Sequence, residues 1–385
     1  MSAPTAAPAL HCTLGLWGTT VSGVGIILGA GIYVLIGAAA ADAGGALWAS
    51  FLIAALLAGA TGLSYAELAA MFPEAGGSSA FAREAFGRRA GFLVGWLLLT
   101  MVVLAAAAVA IGFGGYVDDL LGPDVRPSAA LLIAACAVVV WIGVRETVAI
   151  AVVFTALEAA GLVLAIVVGL PHLGPGALVD TPRGASGIIA AASLAFFAFT
   201  GFEQMATLAE ETRDPVRTIP RAMLLAIVIT TTLYLLVAVT AVAVIPWPEL
   251  AGDPAPLADV VRRAASDRLG DGLSVIALFA TANTVLMLLA TGARLVWGMA
   301  RRALLPPPFG WLHARRGTPW FATGAVSATA IAFARSRDIG RVAQLTNVTI
   351  FVAFIVVNAA LVALRLTRPD TPRPFRVGAV CAVCR

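Results

Sequence analysis

The 385-residue chain contains no lysine; all 25 of its basic residues are arginine. That absence excludes Schiff-base chemistry, a titrating ammonium within a membrane and the Gly-x-x-x-x-Gly-Lys phosphate loop. Charge of either sign is scarce. Only 12% of residues are charged against 60% hydrophobic, and the mean hydropathy is +0.95. A soluble domain carries about 25% charged residues, which keep its surface wet, so lipid is the solvent for most of this chain. The net charge of +4 does not point to nucleic acid, because the arginines are scattered among apolar spans and form no stripe interleaved with aromatics. Histidine is limited to His11, His172 and His313, far apart at the N-terminus or in loops, so no His-x-x-x-His zinc pair exists on a helix. The cysteines, Cys12, Cys136, Cys381 and Cys384, lack the spacing of an extracellular disulfide framework, and the Cys381-x-x-Cys384 pair lies at the very end. No metal, cofactor or enzymatic chemistry is expected. No basic n-region precedes the first apolar run and no small-residue cleavage site follows it, so that run is expected to stay in the mature protein.

What the sequence does have is long apolar runs. A window of about 19 residues, the length that crosses a bilayer core as helix, gives ten spans: 14–40, 46–71, 90–113, 128–143, 147–170, 187–209, 221–245, 272–300, 319–334 and 342–364. The fourth and ninth are short. The fold class is therefore all-α integral membrane, with about ten transmembrane helices. The loops between them are marked by Pro, Gly and charge and are too small for a soluble domain. Arginine accumulates in cytoplasmic loops. One alternate set of loops holds fifteen arginines and the other eight, which places both termini in the cytoplasm of a multi-pass cell-membrane protein. The turn holding Arg335, Arg337 and Arg341 runs against this assignment and puts the ninth span in doubt.

The first and sixth spans are both broken near the middle by small residues. In the first, Gly23-Val24-Gly25-Ile26-Ile27-Leu28-Gly29-Ala30-Gly31-Ile32-Tyr33 concentrates glycine at membrane depth, where it weakens helix and lets a ligand approach the backbone. In the sixth, Phe196-Phe197-Ala198-Phe199-Thr200-Gly201-Phe202-Glu203-Gln204 sets an acid and an amide in an apolar span. Bare backbone groups are tolerated in a membrane only where they line a cavity or meet a polar ligand. Broken helices at matching places in two halves point to a midplane site of a secondary transporter, and five spans per half suit an inverted repeat. Close helix packing at small-x-x-x-small positions such as Gly25 and Gly29 is the plainer reading of the same glycines.

Two acids, Glu158 and Glu203, lie deep within spans, where each is expensive unless it pairs, takes a proton or lines water. Glu203 is either a proton carrier or a neutral brace of the broken segment. Glu158 has three roles open to it: proton site, cation ligand, or hydrogen-bond partner of span 1 or span 8. Thr281, Asn283 and Thr284 offer the oxygen donors of a possible cation site, and are equally ordinary interhelical glue. Glu67, at the end of span 2, is read as structural, pairing with an arginine of the loop after Glu210, or as an inner gate. The segment from Glu210 to Pro220, with Pro215 and Pro220 as helix stops, should lie along the cytoplasmic surface.

These residues resemble the amino acid, polyamine and organocation transporters, particularly the branch similar to cationic amino acid transporters. The resemblance covers essentially the whole chain. It rests on Gly29-Ala30-Gly31-Ile32-Tyr33, on Phe196 to Glu203, and on Ala209-Glu210-Glu211-Thr212-Arg213-Asp214-Pro215-x-Arg217-x-Ile219-Pro220. Ser64-Tyr65-Ala66-Glu67-Leu68, Pro73-Glu74-Ala75-Gly76-Gly77 and Arg368-Pro369-Asp370-x-Pro372-Arg373-Pro374-Phe375-Arg376 add to it. It implies a LeuT-like fold of 5+5 inverted repeats, with spans 1 and 6 interrupted. A cytoplasmic tail (1–13) would precede the first repeat (14–170). The second repeat (187–364) would be followed by 365–385, a tail or the start of an eleventh span. Relatives have twelve spans, so the chain would be a ten-span variant or a truncated product.

The resemblance also implies an amino acid bound between spans 1, 3, 6 and 8. The amides of Gly29, Ala30 and Gly31, with Ile27 beside them, would take its carboxylate at a half-helix N-terminus. Carbonyls near Phe197, Ala198, Phe199 and Thr200 would take its ammonium, with Phe197 as a gate. Some relatives carry a lysine near Glu158, and an acid there excludes that mechanism. Proton coupling is preferred to sodium, and the framing residues favour neutral or apolar amino acids over cationic ones. Sodium coupling, exchange, and a transport-inactive sensor or scaffold subunit are the rival readings. The oligomeric state is not legible.

Overall fold

The computed structural model describes all residues except 1–13, 73–76, 123–124, 175–177, 302–303, 314–315, 336–337 and 379–385. The expected tail 1–13, with His11 and Cys12, the Cys381–Cys384 pair, and Pro73 to Gly76 lie outside the described residues. The chain runs through α1 (Leu16–Ile27), α2 (Gly31–Ala43), α3 (Leu47–Met71), α4 (Ser78–Phe86), α5 (Arg88–Leu121), α6 (Val125–Ile142) and α7 (Val144–Gly169). It continues through α8 (Gly184–Phe199), α9 (Pro215–Val244), α10 (Trp247–Leu250), α11 (Pro256–Ala264), α12 (Asp267–Arg301), α13 (Trp320–Ala334) and α14 (Ile339–Thr367). Among the described residues there is no β-strand, only an isolated bridge between Leu14 and Thr212.

Seven stretches are long and apolar enough to cross a membrane, taking Gly31–Met71 as one, and three shorter apolar helices, Leu16–Ile27, Pro127–Ile142 and Trp320–Ala334, accompany them. The protein is therefore a multi-pass membrane protein. Large apolar side chains such as Val21, Leu56, Leu131, Ile189 and Ile355 stand fully or largely exposed, an outer surface suited to lipid and not to water. The doubtful ninth span is a helix, Trp320–Ala334. The arginine-bearing turn after it is closed by Asp338, whose side chain caps α14 by accepting the Arg341 amide at 3.0 Å.

Small residues set how the bundle packs. The run Ala105 to Ala108 on α5 is completely buried where that helix meets α12 and α14, while α2 and α3 pack on α8 and α3 on α9. Without an apolar driving force between helices in lipid, such close backbone approach is what holds them. Neither proline acts as the expected stop: Pro215 opens α9, and Pro220 sits inside the helix. Its missing N–H falls in the second turn, where only one hydrogen bond near the helix end is lost.

A candidate binding cavity where two broken helices cross

Helix α1 stops at Ile27, and α2 resumes at Gly31 after Leu28, Gly29 and Ala30. Helix α8 stops at Phe199. Gly201 follows with φ +120°, and a 3-10 stretch, Phe202–Glu211, takes over. The two breaks touch. A Cβ at Gly31 would stand 2.8 Å from Ala198 Cα, and one at Gly201 would stand 2.7 Å from the Ile26 carbonyl oxygen. Only glycine permits that crossing, and at Gly201 only glycine tolerates the backbone angle. Gly25 fits the plainer reading, since a Cβ there would lie 2.9 Å from the Thr155 methyl of α7.

A broken helix leaves amides and carbonyls without partners, and here neighbouring side chains supply several. The Tyr234 hydroxyl of α9 shares its proton between the carbonyls of Ile27 at 3.1 Å and Ala198 at 3.0 Å, one from each break. Thr284 of α12 accepts the Ala30 amide at 3.0 Å and donates to its own helix at Ala280. The Phe197 carbonyl accepts the Thr200 hydroxyl at 2.7 Å, and the Gly201 amide donates to Glu203 Oε2 at 2.8 Å.

Between the breaks lies a cavity of about 620 Å³ whose wall is mostly apolar. Of the residues anticipated for substrate, Ile27, Gly29, Gly31, Phe197, Ala198 and Thr200 line it. Ala30 and Phe199 do not: both are fully buried, and Phe199 packs edge-on against the Tyr234 ring at 5.1 Å. Met101 and Ala105 of α5, Thr155, Ala156 and Ala159 of α7, and Met287 of α12 complete the wall. Sequence reasoning missed Tyr234, Thr155 and the two methionines. Tyr234 follows Thr230, Thr231 and Thr232 within a hydrophobic span, and the one signal for it is that a phenol in such a place needs a partner.

Glu203 also lines the cavity, with one oxygen held by Gly201. Glu158 lies behind the wall. Its backbone carbonyl accepts the Tyr33 hydroxyl at 2.6 Å, but neither carboxyl oxygen has a hydrogen-bond partner among the described residues. Asn283 beside it donates to Thr155 at 3.3 Å and leaves its own oxygen unpaired. The three candidate cation donors do not converge. Asn283 and Thr284 reach the cavity, whereas the Thr281 hydroxyl is buried and bonded to the carbonyls of Ala277 and Leu278. Among the described residues, no three His, Cys, Asp or Glu side chains gather as metal ligands.

Glu67 pairs elsewhere than expected. Arg365 grips it with two nitrogens, Arg373 lies 3.7 Å away and the Val377 amide donates at 2.9 Å. The end of α3 adjoins the end of α14, so Arg365 in the last turn of α14 and Arg373 just beyond it, and not the loop after Glu210, supply its charge. At the opposite end of the bundle, α10 and α11 close over α2. There Arg262 binds Asp119 at 3.1 Å and Asp271 at 3.0 Å and also contacts Asp259. Burial, then a hydrogen bond with Asp259, pushes the Asp253 carboxyl up to about 7.

The sequence profile described as amino acid permease matches residues 14–384. A branched-chain amino acid permease of Bacillus subtilis (strain 168) is 29% identical over 398 residues, covering 98% of this chain and 86% of its own. A methylthioribose transporter of the same organism is 30% identical with the same coverage. A vacuolar cationic amino acid transporter of Arabidopsis thaliana is 30% identical, over 90% of this chain and 62% of its own. The chain belongs to the amino acid permease family, within the superfamily its motifs resemble, and its relatives are transporters and not enzymes.

Proposed function

We propose that this member of the amino acid permease family carries an amino acid with an uncharged, apolar side chain across the cytoplasmic membrane, taking it up together with a proton by alternating access. The observation that supports it most is the meeting of two interrupted helices at one cavity of about 620 Å³, a size that suits a small solute. In this reading residues 14–170 and 187–364 are two five-helix halves of inverted topology, each opening with its broken helix, ten helices in all. Both termini face the cytoplasm, as the arginine distribution favours.

The substrate carboxylate sits at the N-terminus of α2, where first-turn amides have no helical partner and the helix dipole favours an anion. Gly29 and Gly31 present their backbone directly, and Thr284 yields the Ala30 amide when the carboxylate arrives. The ammonium meets the free lone pairs of the carbonyls at the end of α8. Met101, Met287, Ile27 and Phe197 surround the side chain, and no acid free of a backbone bond lines the wall to select a cationic one.

Glu158 carries the proton. A carboxylate charge with no partner at membrane depth is costly, and Tyr33 and Asn283 tie its surroundings to α2 and α12. Sodium fits less well, because Thr281 does not line the cavity that Asn283 and Thr284 reach. Proteoliposomes loaded against an imposed pH gradient test this reading, with branched-chain, cationic and other amino acids, and methylthioribose, as competitors. Uptake driven by inward protons and blocked by apolar amino acids is expected, and Glu158→Gln should keep exchange while losing the response to the gradient. Binding with neither flux nor exchange would leave a sensor or scaffold and overturn it.

A further inference from the structure

Four of the eight tryptophans in the chain gather where α6 and α12 end and α13 begins. Trp311 and Trp320 stack with ring centres 6.5 Å apart, and Phe321 stands edge-on to both, with Phe309 against it at 5.0 Å. Trp141 is joined to the same loop by the Thr318 hydroxyl, which donates to its carbonyl at 3.0 Å. The loop rests on the end of α12, Gly310 lying beside Ala300. These rings are not sequestered: Trp141, Trp311 and Trp320 are 42%, 53% and 41% exposed.

Two guanidinium groups lie on this surface. Arg301 stands over the Trp297 ring at 5.6 Å, and Arg316 over the Trp141 ring at 5.9 Å. Arg183, Arg262, Arg263, Arg341, Arg365 and Arg368 each hold a carboxylate. Among the described residues no carboxylate pairs with Arg301 or Arg316. A guanidinium lying on a ring spends its face on the π-system and keeps its planar N–H edge for the oxygens of an anion, which it can bind bidentately. Tryptophan in turn settles at the level of lipid headgroups, its ring half in the apolar phase.

We propose that this patch is a docking site for an anionic phospholipid, with the headgroup phosphate on the edges of Arg301 and Arg316 and the glycerol and upper acyl chain on the Trp311–Trp320 shelf. The paired requirement, two unneutralised cations beside an exposed aromatic shelf, selects a lipid over a free anion, which would have no use for the shelf.

The test measures lipid retention by the purified full chain in native mass spectrometry, with phosphatidylglycerol and phosphatidylcholine competing. The intact chain should prefer phosphatidylglycerol, and the R301Q/R316Q double variant should lose that preference by about tenfold or more. A double variant that keeps the preference overturns the proposal. So does protection of the intact chain against heating by inorganic phosphate in neutral detergent equal to that by phosphatidylglycerol. Should the variant not fold, brominated lipids decide with the intact chain alone. Brominated phosphatidylglycerol is expected to quench tryptophan fluorescence more than brominated phosphatidylcholine at equal mole fraction, and equal quenching would refute the site.

Discussion

The two helix breaks look alike in sequence and are held in opposite ways. The second is closed largely by its own chain: Thr200 covers the Phe197 carbonyl and Glu203 covers the Gly201 amide, each within three residues. The first has no such local cap. Its Ala30 amide depends on Thr284, 254 residues away, and its Ile27 carbonyl on Tyr234, 207 residues away. A break capped from within keeps its shape as neighbours move, whereas one capped from α9 and α12 changes partners when those helices shift. The first break is thus expected to yield more readily than the second, which its own chain braces.

The largest test of that contrast is a methyl group at each break. Gly201→Ala must hold a positive φ and push against the Ile26 carbonyl, and should lose about 3 kcal/mol or more and all transport. Gly29→Ala meets nothing closer than the Thr284 hydroxyl at an ordinary 3.5 Å, and should fold almost normally while slowing transport. Equal losses of thermal stability in the two variants would erase the distinction.

Next in size is Tyr234→Phe, which strips one hydrogen bond from each break. Two buried carbonyls left short should cost about 1–3 kcal/mol. Hydrogen exchange should then rise more at the end of α1 than at the end of α8, whose Thr200 cap survives. Thr284→Val acts on the first break alone, at about 1 kcal/mol, with Thr284→Ser restoring both stability and substrate affinity. A matching loss in the serine variant would mean that the methyl, not the hydroxyl, matters.

The smallest effect is that of pH on α2, the second half of the first broken helix. Leu250 and Pro256 pack on Gly37 of α2, so the α10–α11 loop steadies that half-helix. The Asp253 carboxyl is raised to about 7 in the folded loop against about 3.9 in an unfolded chain. The folded form therefore keeps its proton between about pH 4 and 7 where the unfolded form has lost it, and the stabilisation fades as pH rises through 7. Amides of α2, corrected for intrinsic rates, should exchange faster at pH 8 than at pH 6 while those of α8 do not change. Asp253→Asn should remove the difference.

Much of the molecule was legible without coordinates because membrane depth imposes strict rules. Apolar length marks a crossing segment, and glycine beside polar residues within one marks a break. Both breaks fall at the glycines that announced them. The reading faltered where partners come from distant segments. Glu67 was assigned to the wrong arginines, since nothing local says that the end of α3 lies beside the end of α14. Pro220 looks like a stop in the sequence because its place in the second turn of α9 depends on where that helix begins. Phe199 turns away from the cavity that Phe197 and Ala198 line, because residues adjacent in a helix point to different sides.

By itself, then, the sequence determined a lipid-solvated helical bundle, the sites of its two interruptions and the residues whose backbone would be bare there. Those are local properties, set by hydropathy and by the absence of a Cβ. Only the tertiary structure decided which bare groups are already answered, because Tyr234 and Thr284 reach them from helices more than 30 residues away in the chain. It also left the Glu158 carboxyl buried behind the cavity wall, with no hydrogen-bond partner among the described residues. A hydrogen bond is a statement about distance in space, and at membrane depth, where no water can stand in, that distance separates a brace from a binding site.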